Sequence, residues 1–238
     1  MKQSNFEFYN TDKSYQSAKR ILNSILPLLG EISSFQDVGS GVGAWSKVLE
    51  DLGHKDFKLY DHPSINPDRL LVISKNSFVP IDLDNYLPEI KKFDLSICIE
   101  VLEHFEESRA LALLNYLTEC SDIIIFSAAV PFQKGNGHCN EKNHTYWHGK
   151  FRARGFVFFD GFKRNFLNEE IDKESFFYLQ NSFLYFRSDK FSFPIENNIS
   201  SEFFEIRSVY LLNKVHTISD SLKILKNAII TSLKAKLS

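Results

Sequence analysis

Asp37-Val38-Gly39-Ser40-Gly41-Val42-Gly43 follows a mostly apolar run at residues 32–35 and leads into Ala44-Trp45-Ser46-Lys47-Val48-Leu49-Glu50-Asp51-Leu52. Trp45, Val48, Leu49 and Leu52 recur at helical spacing, so the stretch reads as a strand, a glycine turn and a helix start. Glycines let backbone amides approach a ligand closely, and the first turn of a helix offers unpaired N–H donors. A nucleotide-like ligand is expected there. Gly39, Gly41 and Ala44 also meet the loose dinucleotide-binding pattern, which keeps nicotinamide and flavin ligands open at this point.

Working outward, acidic residues stand at the ends of strand-like runs. Asp37 closes the first strand, where a carboxylate can face a cationic ligand. Asp61 closes the apolar run at residues 57–60, about 20 residues beyond the glycines, where a carboxylate accepts from both ribose hydroxyls. Asp82, followed by Leu83, closes the run at 78–81 and is placed to accept from an adenine amino group. Then comes Phe93-Asp94-Leu95-Ser96-Ile97-Cys98-Ile99-Glu100-Val101-Leu102-Glu103-His104-Phe105.

Together these motifs resemble the class I S-adenosylmethionine-dependent methyltransferases over residues 15–160. The resemblance implies S-adenosyl-L-methionine as cofactor. Asp37, Gly39, Gly41 and Gly43 would form the first motif, Asp61 the ribose acid, and Asp82 with Leu83 the adenine side. Glu100 would border the methionine end. It also implies a Rossmann-like, mostly parallel sheet of seven strands in the order 3-2-1-4-5-7-6, with strand seven antiparallel and helices on both faces. Alternating strands and helices independently argue for that α/β class.

Further on, Phe126-Ser127-Ala128-Ala129-Val130-Pro131, Gly137-His138-Cys139-Asn140-Glu141 and Tyr146-Trp147 resemble a bacterial subgroup often associated with cell-surface polysaccharide modification. Lys134 and Asn136 interrupt its glycine-rich loop. That resemblance implies O-methylation of a small acceptor, such as a sugar hydroxyl or a phosphoramidate-type oxygen.

Methyl transfer to a neutral hydroxyl needs an acceptor oxygen held in line and a base titrating near neutrality. His138, Glu141 and His104 are the catalytic candidates, with His138 as base. Glu100, Glu103, Tyr146 and Trp147 are expected to furnish the acceptor pocket. Glu100, Glu103 and His104 with a later histidine also resemble the metal ligands of small-RNA 3′-terminal 2′-O-methyltransferases. The second histidine cluster of those enzymes is missing here, so a metal-free site is expected. A non-catalytic cofactor-binding subunit is the alternative of another class; the full set of glycines and acids argues against it.

Composition sets the bounds. The 238 residues are 43% hydrophobic, enough for one sizeable core. A net charge of −2 implies no broad basic face, so no nucleic-acid partner is expected. Cys98, Cys120 and Cys139 lack zinc-pair spacing and fit a reducing cytoplasm. Residues 1–10 lack a signal-peptide core, and no run reaches membrane-spanning length.

Helices are expected at residues 14–29, 106–119 and 145–154. The aromatic runs 156–159 and 176–186 are expected to be the last strands. A domain boundary is expected at 190/191, where composition shifts. In the extension, residues 191–238, Ile218, Leu222, Leu225, Ile229 and Leu233 form an amphipathic helical stripe suited to packing or homodimerisation.

Overall fold

A computed structural model of the protein describes residues 11–133, 135–166, 169, 171 and 173–191. Its strands are β1 (Ser34–Val38), β2 (Asp56–Asp61), β3 (Phe78–Pro80), β4 (Leu95–Ile99), β5 (Ile123–Ser127), β6 (Phe156–Phe159) and β7 (Phe183–Arg187). The helices are α1 (Thr11–Ile25), α2 (Ala44–Asp51), α3 (Glu107–Cys120), α4 (His144–Arg152) and α5 (Lys173–Asn181). The strands form one sheet in the order β3-β2-β1-β4-β5-β7-β6, as expected. β7 runs antiparallel to both β5 and β6, and every other pairing is parallel.

The central strands are buried on both faces, which is why β4 and β5 read as nearly continuous apolar runs. On one face Leu113, Leu114 and Leu117 of α3 and Trp147 and Phe151 of α4 join Cys98, Ile124, Phe126 and Tyr185 in a single buried cluster. The Phe126 ring meets Trp147 at 5.4 Å and Phe151 at 5.2 Å, both edge-on. On α1, Ala18, Ile21, Leu22 and Ile25 are fully buried, and the helix packs against α2 and α5.

Differences from the sequence expectations are local. Pro27 ends α1 early: the helix stops at Ile25, and Leu26–Leu28 form a single 3-10 turn. Residues 176–181, expected as strand, are helical in α5. Ser175, Phe176, Leu179 and Gln180 are buried while Phe177 and Tyr178 are half-buried, a 3.6-residue period rather than a twofold one. The Ser175 hydroxyl also meets that of Ser17 on α1 at 2.8 Å. No helix among the described residues is long and apolar enough to cross a membrane. The amphipathic stripe at 218–233 and the dimer contact expected of it lie outside the described residues.

β7 matters for the site because it is antiparallel. Phe183 at its start pairs with Phe126 near the end of β5. The last residues of α5 therefore reach the same sheet edge as the C-terminal ends of β1, β4 and β5. In an open α/β sheet, that edge carries the ligand crevice.

Candidate active site

A cleft opens at that edge, lined by the glycine turn, Asp61, Asp82, Leu83, Glu100, His104 and residues of α1 and α5. Gly39, Gly41 and Gly43 have φ of +77°, +54° and +80°, all in the left-handed region. A Cβ on Gly39 would stand 2.4 Å from Val101 Cγ2, and one on Gly43 would stand 2.8 Å from Leu59 Cδ2. Two of the three positions thus need glycine for space as well as for conformation.

The acids sit where the sequence places them, and each is held by a local partner. Asp61 Oδ2 accepts from the Gly41 amide and Oδ1 from the His62 amide, both at 2.6 Å, so this carboxylate shapes the turn it faces. Burial pushes the Asp61 pKa up, and the two amides oppose the shift. Asp37 is 2% exposed and accepts from Ser46 Oγ at 2.7 Å. Burial raises it to about 7, opposed by Ser46. Asp82 accepts from the Asp84 amide at 3.0 Å and Asn85 Nδ2 at 2.8 Å, and the Asn85 contact leads in holding its pKa low.

Glu100 ends β4 with φ +55°, a left-handed conformation that a non-glycine residue adopts only at some cost. Its carboxylate oxygens accept from Gln133 Nε2 at 2.8 Å and Asn181 Nδ2 at 3.1 Å. Asn181 also bonds Gln133 Oε1 at 2.8 Å, closing a three-residue ring of polar contacts. Burial raises the Glu100 pKa, and the two amide donors offset it.

Behind Glu100 the structure gathers Glu103, His104 and His138. One ligand-type atom from each lies within 4.8 Å of the others. Glu103 is fully buried. Burial, reinforced by the charge of Glu100, holds its pKa well above the carboxylate range. His138 Nδ1 bonds Glu141 Oε1 at 2.9 Å, which assigns the ring proton to Nδ1 and leaves the Nε2 lone pair 4.0 Å from Glu103 Oε1. His104 lines the cleft, edge-on to His138 at 4.8 Å. Burial lowers its pKa to about 4, so it is neutral at pH 7.

For Tyr146 and Trp147, where an acceptor wall and core packing are both open in the sequence, the structure shows packing. Trp147 is 1% exposed in the core, and Tyr146 donates to Glu107 at 2.6 Å, tying α4 to α3. Gln133, Asn181, Ser14 and Tyr178 belong to the site or line it without having been anticipated. Tyr178 was hidden by the strand assignment. Asn181 carries no local signal, because its partner Glu100 is 81 residues away.

No family model matches the sequence, and no curated protein matches it. Solved structures do. An amino pentose methyltransferase involved in calicheamicin biosynthesis from Micromonospora echinaspora, with S-adenosylmethionine bound, is 11% identical. The match covers 76% of this chain and 93% of that one, at a TM-score of 0.50. A magnesium protoporphyrin IX methyltransferase from Synechocystis PCC 6803 is 20% identical, with 66% and 76% covered and a TM-score of 0.47. A mitomycin 7-O-methyltransferase is 13% identical, with 61% of this chain covered and a TM-score of 0.44; the chain spans 48% of its length. With its sheet order, its glycine turn at the end of β1 and the first of these matches, the chain has the fold of the class I S-adenosylmethionine-dependent methyltransferases.

Proposed function

We propose that the chain is an S-adenosyl-L-methionine-dependent methyltransferase that O-methylates a small acceptor, such as a sugar hydroxyl, in cell-surface polysaccharide biosynthesis. The observation that carries this is the Asp61 carboxylate bonded to the Gly41 amide inside a turn of three left-handed glycines. Gly39 and Gly43 let Val101 and Leu59 pack directly against the turn, while Gly41, with nothing within 4 Å of its Cβ direction, leaves the backbone free to lie against a ligand. Each Asp61 oxygen keeps a further lone pair for a ribose hydroxyl. Among the described residues the cleft is lined by Asp37, Asp61, Asp82, Asp84 and Glu100 and by no Lys or Arg. This lining suits a ligand carrying a sulfonium and an ammonium, and it argues against an RNA acceptor.

S-adenosylmethionine supplies a methyl group already bonded to a good leaving group. The chain's own task is to exclude water, align the acceptor and receive its proton. His138 is the base in this proposal: Glu141 orients it, and its Nε2 lone pair is free for a proton. His104 lines the cleft with its ring edge-on to that imidazole. Glu100, clamped by Gln133 and Asn181, faces the cationic end of the cofactor.

Calorimetric titration of the purified protein with S-adenosylhomocysteine tests the cofactor assignment. Saturable one-to-one binding is expected, and tight NAD binding in its place would overturn it. Once an acceptor is found, single-turnover methylation by His138→Ala at saturating cofactor should slow about 10²–10⁴-fold. A rate within a few-fold of the native protein would remove His138 from the role of base.

A further inference from the structure

Behind the ring of contacts around Glu100 stands a histidine from α4. Asn181 is 1% exposed, and its Nδ2 donates to Glu100 Oε1 at 3.1 Å and to Gln133 Oε1 at 2.8 Å. Both protons of that nitrogen are thereby used, and Oδ1 faces the other way. There it lies 3.3 Å from His144 Nε2, and an acceptor opposite that nitrogen assigns it the proton. Given the methyltransferase reading, on which this rests, we propose that His144 is a positioning residue for the cofactor. Its Nε2–H fixes the Asn181 amide, and through it the Glu100 carboxylate that meets the methionine end.

The bonds of this network run in one direction. Gln133 Nε2 donates to Glu100 Oε2 at 2.8 Å, while Gln133 Oε1 accepts from the Val130 amide at 3.3 Å as well as from Asn181. A reversed Asn181 would set its oxygen against Glu100 Oε1 and Gln133 Oε1, and its Nδ2 against the proton on His144 Nε2. The histidine therefore favours the one orientation in which both amides give protons to the carboxylate. Held by two donors, Glu100 keeps a single orientation at the cleft. Without Asn181 it keeps one of them and can turn away from the ligand.

Other duties at this position do not need the imidazole. His144 is the first residue of α4, but the cap of that helix comes from Asn143, whose Oδ1 accepts from the Tyr146 amide. The His144 ring packs edge-on against Phe183 at 4.8 Å, and Phe183 starts β7 just after Asn181 ends α5. That packing asks for bulk, whereas the Asn181 contact asks for an N–H at the place of Nε2.

Calorimetric titration of the full-length protein with two ligands tests this. S-adenosylhomocysteine carries the amino-acid end, and 5′-methylthioadenosine has the same nucleoside without it. His144→Leu keeps the bulk against Phe183 and removes the donor. It should weaken S-adenosylhomocysteine about three- to tenfold and leave 5′-methylthioadenosine within about twofold. His144→Gln puts an amide N–H at the place of Nε2 and should restore native affinity. In Asn181→Ala, itself weaker for S-adenosylhomocysteine, adding His144→Leu should change nothing further, because the histidine acts through that amide. Thermal unfolding checks each variant. Should His144→Leu not fold, His144→Ala takes its place; should Asn181→Ala not fold, the single variants at 144 carry the comparison. Equal losses for the two ligands, no loss in His144→Leu, no recovery in His144→Gln, or a further loss in the double variant would each overturn the role of His144. A native protein that binds neither ligand removes the cofactor assignment, and this role with it. One that binds both keeps the cofactor assignment whatever the variants at 144 do.

Discussion

At Gly39 and Gly41 the same substitution should have different costs. Alanine at either position pays for a left-handed backbone, about 1–2 kcal/mol. At Gly39 the new methyl also meets Val101 at 2.4 Å, whereas Gly41 has nothing within 4 Å. Overpacking adds about 1–3 kcal/mol, so urea unfolding should rank Gly39→Ala below Gly41→Ala by that margin. Equal losses would mean that Val101 moves aside freely. Asp61→Ala removes the acceptor for two turn amides together with the ribose contact proposed for it, and should weaken S-adenosylhomocysteine about ten- to a hundred-fold by calorimetry. Unchanged affinity would show that Asp61 is only a turn residue. These positions were legible in the sequence because glycine and a strand-ending aspartate announce their chemistry locally. The clamp on Glu100 was not, since its partner Asn181 arrives from 81 residues away.

Among the elements, α4 shows how a loop is turned into a helix at a defined residue. Asn143 is its N-cap, and Oδ1 accepts from the Tyr146 amide at 2.9 Å. Asn143→Ala should cost about 1 kcal/mol in urea unfolding, with the denaturant slope unchanged. No loss would mean that water replaces the cap at no cost. The helix itself was expected at 145–154 and is seen at His144–Arg152. α5 was not expected as a helix, because Phe176, Phe177 and Tyr178 have high strand propensity and their run leads straight into β7. Packing of Phe176 and Leu179 into the core overrides that propensity. The error matters for the site, since α5 ends in Asn181, the residue that clamps Glu100.

For the whole molecule, burial of acids near the cleft should make stability depend on pH. Asp37 is raised from 3.8 to about 7, so between those values the folded protein holds a proton that the unfolded chain releases. Its contribution to stability therefore falls as pH rises through that window, by about 4 kcal/mol in all. His104, lowered from 6.5 to about 4, acts in the opposite sense, with stability rising between those values. Subtracting the profile of Asp37→Asn isolates the aspartate. The native protein should lose stability relative to that variant from pH 4 to 7, and no further above it. A flat difference would mean that Asp37 is hydrated in the folded state.

Sequence by itself determined the α/β class, the strand order through resemblance, and the position of the glycine turn. Those features are written in apolar runs and turn residues within about ten positions of one another, where local sterics act. Only the tertiary structure decided that Glu100 meets Gln133 and Asn181, that His138 turns toward Glu103, and that Trp147 belongs to the core. These contacts join residues far apart in the chain. The one between Asn181 and Glu100 exists because the antiparallel β7 brings the end of α5 to the edge where β4 and β5 terminate.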